Sequence, residues 1–125
     1  MSRPIHALID LSALEHNLSV VRRHSSRSRV MAVIKADAYG HGAIQCAHAA
    51  IKEQVDYIGV GIIQEGIELR ENGITSPILI LGGIYPNEIE DLIKYNLSTS
   101  LSNSVIASAI SKKAEQANQS VGVHI

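Results

Sequence analysis

Phenylalanine and tryptophan are missing from these 125 residues, and tyrosine occurs four times. Proteins that hold single-stranded nucleic acid stack bases on aromatic rings, and this chain has little from which to build such a platform. Cysteine occurs once, as Cys46. That excludes an internal disulfide and fits a reducing compartment. Long apolar runs are missing too: none approaches the ~20 residues of a membrane span. The opening MSRPIHALID has no long apolar stretch behind its arginine, so no secretory signal is expected. Neither sign of charge is in surplus, with 11 Lys and Arg against 12 Asp and Glu. No global field draws nucleic acid to such a chain. The expectation is a cytoplasmic protein with no nucleic-acid or membrane partner.

Metal-ligand patterns are equally scarce. The six histidines, at 6, 16, 24, 41, 48 and 124, form no H-x-H or H-E-x-x-H motif, so no metal site is expected. Cys46 lies beside apolar positions of a helical segment and reads as a small buried hydrophobe. The basic stretch Arg22, Arg23, His24, Arg27, Arg29 falls at a helix C-terminus, where cations complement the dipole. Glu65, Glu68 and Arg70 read as a solvated helix face.

What the chain does have is 46% hydrophobic residues, arranged as short apolar runs alternating with helical periodicity. The runs Ala7–Asp10, Val30–Lys35, Tyr57–Val60, Ile78–Leu81, Leu97–Ser100 and Val121–Ile125 predict strands. Helices are expected between them. Ser12 caps the first, with Glu15 completing a capping box and Leu14, Leu18 and Val21 following at helical spacing. The second spans about 42–53, with Ile44, Ala47 and Ile51 inward. The third spans about 64–71 and stops at Asn72-Gly73. The fourth follows Pro86, with Asn87 as its cap, and the fifth spans about 104–118, with Val105, Ile106, Ala109 and Ile110 as its apolar positions.

Strand starts at 7, 30, 57, 78, 97 and 121 are 19 to 27 residues apart, near the length of one unit of a (β/α)8 barrel, which takes ~250 residues in all. A doubly wound open sheet uses the same local alternation. No G-x-G-x-x-G follows any strand, which lowers the dinucleotide-binding reading. The last apolar run stops at Ile125, and an unpaired buried strand is an aggregation hazard. The expectation is therefore a fragment of a longer protein, one that by itself is marginal or self-associating.

One stretch carries chemistry: VMAVIKADAYGHG, residues 30–42. Lys35 ends an apolar strand and opens a loop of small residues with two glycines. Functional groups of parallel α/β folds gather at the C-terminal ends of strands. A lysine there can bind an anion, act as a Schiff-base nucleophile, or simply be solvated. A nucleophilic lysine must spend time neutral, which apolar surroundings favour, and Met31–Ile34 is expected to help supply them. Tyr39 offers a hydroxyl suited to a phosphate.

VIKADAYGHGA, Val33 to Ala43, closely resembles the pyridoxal-phosphate attachment segment of alanine racemases. IDLSALEHNL, QEGIELRENGI and SPILILGG resemble the same family in the same order. The resemblance implies the N-terminal half of a (β/α)8 barrel, with residues 1–125 the first part of a cofactor-binding domain. The rest of the barrel and a C-terminal β domain would lie elsewhere. It implies that Lys35 holds pyridoxal 5′-phosphate covalently and serves as one of two acid/base groups. Tyr39 would hydrogen-bond the cofactor phosphate, Leu81 would pack near its ring, and His41 would shape the loop. The implied reaction interconverts L- and D-alanine, in a homodimer. In the family the second base is a tyrosine of the partner's β domain, and an arginine in a D-T-G-M-x-R stretch tunes the cofactor. Neither has a match here, so this chain alone is expected to be inactive. Two rivals remain: a racemase for another small amino acid such as serine, and a non-catalytic cofactor-carrying barrel.

Overall fold

The computed structural model describes residues 5–125. Helix α1 spans Leu11–His24 and is followed by strand β1, Met31–Val33. A helical turn, α2, covers Lys35–Gly40, and helix α3 covers Ala43–Lys52. Strand β2 is Tyr57–Val60, helix α4 Ile63–Glu71 and strand β3 Ile78–Ile80. A 3-10 turn at Pro86–Glu88 leads into α5, Ile89–Lys94. Strand β4 is Ser98–Ser100, α6 Ser104–Gln116 and β5 Val123–His124.

All five strands pair in parallel, in the order β1-β2-β3-β4-β5. Each strand lies beside its neighbour in sequence, so the order never reverses. A doubly wound sheet requires such a reversal; the barrel-type progression is what remains. Right-handed crossovers then place every helix on one face.

Alternation along the strands separates two faces. Ile58, Val60, Ile78 and Ile80 are fully buried and pack with Ala47, Ala50, Ile63, Leu69 and Leu92 beneath the helices. Burial of each large aliphatic side chain contributes about 1.5–3 kcal/mol. The other face carries Gly59, which stands in register with Val33 on one side and Leu79 on the other. A Cβ at Gly59 would lie 2.9 Å from the Met31 sulfur, 3.2 Å from Val33 Cγ2 and 3.4 Å from Leu81 Cδ1. The missing side chain lets these three neighbours close over the sheet.

Several expectations need correction. Ala7–Asp10 is not a strand: among the described residues no partner lies beyond β1, and Leu8 is 94% exposed. Asp10, not Ser12, caps α1, because its carboxylate accepts from Ala13 N–H at 3.0 Å and so starts the helix earlier. Val21 and Val105, apolar positions of α1 and α6, are exposed. Asn87 sits inside the 3-10 turn; Tyr85 precedes it, and its N–H donates to Glu88 at 2.8 Å. Asn103 caps α6 through Val105 N–H at 2.8 Å. Strands β1, β3, β4 and β5 are shorter than their apolar runs, and Val30, Lys35 and Leu81 fall just outside the paired registers.

Candidate functional site

Lys35 begins at the C-terminal end of β1, as the apolar run implied. Its backbone is held from both sides. Ile34 N–H donates to Gly59 O at 2.9 Å, which extends the β1–β2 ladder by one bond. Directly after Lys35, Ala36 N–H donates to Glu65 Oε1 at 2.7 Å. The chain then turns through Ala36, Asp37, Ala38 and Tyr39, all left-handed with φ between 51° and 56°. Left-handed geometry costs a non-glycine residue roughly 1–2 kcal/mol, so four in succession need compensation.

That compensation is on hand. Ala38 N–H donates to Ile34 O at 2.9 Å and Gly42 N–H to Asp37 O at 2.9 Å. The Asp37 carboxylate accepts from Ala43 N–H at 2.7 Å, tying the turn to α3. His41 Nδ1 lies 2.9 Å from Ala38 O, a loop-shaping contact. Gly40 and Gly42, at φ 85° and 93°, complete the exit. Strain of this kind concentrates where a ligand or reaction needs a fixed geometry.

Lys35 itself is exposed, and no carboxylate pairs with it among the described residues. This corrects one expectation: Met31–Ile34 gives the lysine a fixed backbone but does not enclose its amine. The stem of Lys35 crosses Gly61, where an added Cβ would lie 3.5 Å from Lys35 Cβ and 3.3 Å from Glu65 Oε2. Leu81 borders Gly59, two residues earlier along β2, and is 38% exposed. Lys35 and Leu81 thus border neighbouring glycines of the same strand and its exit. Tyr39 stands at the far end of the turn, 60% exposed. It lines a groove of about 590 Å³ between the start of α1 and β1, with Leu8, Ile9, Val33 and His41. Lys35 and Leu81 do not line that groove.

Glu65 is the residue that sequence reasoning missed. It was expected on a solvated face, yet its carboxylate accepts three backbone N–H groups. Besides Ala36, these are Gly61 at 2.7 Å and Ile62 at 3.3 Å. Its place in the first turn of α4, three residues after Ile62, was the available signal. Arg70 also leaves the solvated face. It donates to the carbonyls of Ile74, Ser76, Tyr95 and Asn96 at 2.7–2.9 Å. Glu68 alone of the three is exposed.

The remaining groups behave as structure. Cys46 is buried, and burial, with the nearby Asp37 charge, pushes its thiol up from its ordinary value. Such a thiol is a poor nucleophile. Arg22 pairs with Asp56 at 3.0 Å, while Arg23, His24, Arg27 and Arg29 are exposed. No cluster of three potential metal ligands occurs among the described residues, and no helix among them is long and apolar enough to cross a membrane.

Known proteins resemble this chain throughout. A family model described as "Alanine racemase, N-terminal domain" matches residues 9–125. The alanine racemase of Carboxydothermus hydrogenoformans is 41% identical over 123 residues, which cover 98% of this chain and 33% of that protein. That of Nitrosomonas europaea is 50% identical over 100 residues, covering 79% and 27%. Among solved structures, an alanine racemase of Clostridium difficile 630 superposes with a TM-score of 0.90 at 40% identity, covering 94% of this chain and 31% of that one. One from Streptomyces coelicolor A3(2) gives 0.84 at 32% identity, covering 92% and 31%. The five-stranded parallel sheet matches the N-terminal half of the barrel in these structures. The chain spans about a third of the length of the relatives it matches.

Proposed function

Because the chain belongs to the alanine racemase N-terminal domain family, we propose that it supplies the cofactor-attachment part of a pyridoxal-phosphate-dependent alanine racemase. The observation that carries this reading is the junction at Lys35. An exposed, unpaired amine leaves a strand end whose backbone is pinned on both sides and followed by a compensated left-handed turn.

Lys35 and Leu81 suit the cofactor ring, and Tyr39, which lines the neighbouring groove beside α1 and β1, offers a hydroxyl for its phosphate. Lys35 presents an amine free of any carboxylate partner among the described residues, Leu81 an apolar wall, and Tyr39 an exposed hydroxyl. When bound, pyridoxal 5′-phosphate supplies an electron sink for the pair left behind when a substrate's α-proton departs. Lys35 Nζ would hold the cofactor and would move a proton at the substrate Cα on one face. Leu81 would offer an apolar surface to the cofactor ring. Tyr39 would donate to a phosphate oxygen, and the Asp37 and His41 contacts hold its turn in place.

A racemase needs a second acid/base group on the opposite face of Cα. The longer protein supplies it, along with the rest of the barrel and a β domain, and two copies complete each other's sites. The 125-residue chain by itself does not racemise alanine. Localisation in the cytoplasm belongs to the same reading.

Mixing the purified chain with pyridoxal 5′-phosphate and recording the visible spectrum tests this function. A cofactor band in the wild type that disappears in Lys35→Ala supports it. A band of equal strength in both chains would overturn the attachment role. D-Alanine formation by the isolated chain, with host enzyme removed, would overturn the claim that the site is shared.

A further inference from the structure

We infer that Glu65 is a positioning residue for Lys35. This rests on the attachment role proposed above but concerns a residue whose hydrogen bonds go to backbone N–H groups. The two oxygens of Glu65 bridge two strand ends. Oε1 accepts from Ala36 N–H, the peptide that follows Lys35, and Oε2 accepts from Gly61 N–H, just past β2, both at 2.7 Å. The same Oε2 accepts from Ile62 N–H at 3.3 Å. Glu65 stands in the first turn of α4, where a carboxylate also complements the helix dipole.

The bridge closes a small frame around the lysine. Gly59 O holds Ile34, the residue before Lys35. Glu65 holds Ala36, the residue after it. Gly61, held by the other oxygen, is the residue over which the Lys35 stem passes. Lys35 therefore leaves the backbone at a point fixed against β2 on both sides, and its aliphatic stem lies along the exit of that strand. Charge-assisted bonds from backbone N–H groups to a carboxylate are short and strong. Anchoring at the root of the side chain fixes the direction in which Lys35 leaves the backbone.

Glu65→Gln is the informative change, because it keeps size and helix propensity. A carboxamide has one acceptor oxygen and one NH2 donor. It cannot accept from Ala36 and Gly61 through separate oxygens, and its NH2 would face one of the two N–H groups. The bridge opens on one side while α4 remains.

Three readouts on the full 125-residue chain test the proposal. Amide hydrogen exchange should rise about tenfold at Ala36 or Gly61 in Glu65→Gln, the loss of one net hydrogen bond. Protection in the buried strand residues Ile58 and Ile80 should stay at the wild-type level. Trace labelling with acetic anhydride should change the reactivity of Lys35, relative to Lys52, Lys94 and Lys112, by about threefold or more, the effect of a partial loss of anchoring. Borohydride trapping of pyridoxal 5′-phosphate at Lys35 should slow by a similar factor while the reference lysines hold.

Unchanged labelling of Lys35 in the variant would overturn the positioning role even if Ala36 exchanges faster. A common change at every lysine would overturn it as well, by showing a general loss of structure. If the wild-type chain fails to trap the cofactor preferentially at Lys35, the attachment reading falls. The acetic anhydride ratio, which needs no cofactor, then still decides whether Glu65 positions the lysine.

Discussion

Helix α4 does different work at its two ends. Near its start Glu65 collects backbone N–H groups at the C-terminal rim of the sheet. Near its finish Arg70 donates to four backbone carbonyls at the opposite rim, around the entries to β3 and β4. Both are charged side chains serving backbone polar groups, and neither has an ion-pair partner among the described residues. The polarity follows from the fold. At the C-terminal rim the chain enters helices, whose first N–H groups lack partners, and at the N-terminal rim it leaves helices, whose last carbonyls lack partners, so each rim takes the side chain of matching chemistry. The difference lies in what each rim holds. Arg70 ties together loops that carry no reactive group. Glu65 ties down the two chain segments between which a reactive lysine projects. In barrels the N-terminal rim serves stability and the C-terminal rim serves chemistry, and here one nine-residue helix spans both.

Substitutions at the two ends should separate these roles. The largest stability loss is expected from Arg70→Ala, which leaves four carbonyls to find water in a half-buried position. Urea unfolding should show a loss of about 3 kcal/mol. Burial lowers the pKa of Arg70, and Arg70→Lys keeps a charge without the planar fork, so it should recover only part of that loss. An Arg70→Ala chain as stable as the parent would remove the structural half of the comparison.

At the other rim, Gly82→Ala should come next. An added Cβ would stand 2.5 Å from the Gly61 carbonyl oxygen, in the path of the Gly82 N–H bond to that same oxygen at 3.0 Å. Overpacking against backbone typically costs about 1–3 kcal/mol. Because Gly61 is also held by Glu65, this change should disturb Lys35 labelling as well as stability. Unfolding and labelling measured on the same variant would show whether the two move together.

A smaller effect concerns acid. Asp56 is held below the ordinary carboxylate range, chiefly by the Val30 N–H bond and then by the Arg22 charge. Since its folded value is lowered, its contribution is complete above about pH 3.9 and is lost as pH falls through the folded value. Asp56→Asn should flatten the acid side of the stability profile between about pH 5 and pH 2. An unchanged profile would contradict this. The smallest change is expected for Lys113→Ala. It removes an exposed pair with Glu90 on the helical surface, and its unfolding midpoint should match the parent.

Much of the fold was legible because its signals are local. Every apolar run from β1 to β5 contains an observed strand, and the β-α alternation gave the architecture. What was not legible depends on partners distant in sequence. Ala7–Asp10 is a short apolar run like those of the true strands, yet among the described residues nothing lies beyond β1 to pair with it. Lys35 was marked by the conflict between an apolar run and a charge at its end. The left-handed turn that follows could not be read from Ala36, Asp37, Ala38 and Tyr39, of which the two alanines favour right-handed helix. Its support comes from bonds made at the two margins of the turn. Glu65 and Arg70 looked like solvated charges because helical periodicity shows which face a residue occupies, not which loop ends reach it. Tyr39 and Leu81 were placed by resemblance, and their sides of the site are open in this chain.

The most direct measurement of the central claim is peptide mapping after pyridoxal 5′-phosphate and borohydride treatment of the 125-residue chain. The claim is that the β1–α2 junction presets one lysine for covalent capture of the cofactor. The predicted result is a reduced cofactor adduct concentrated on the peptide that contains Lys35. Adducts spread evenly over Lys35, Lys52, Lys94, Lys112 and Lys113 would contradict it.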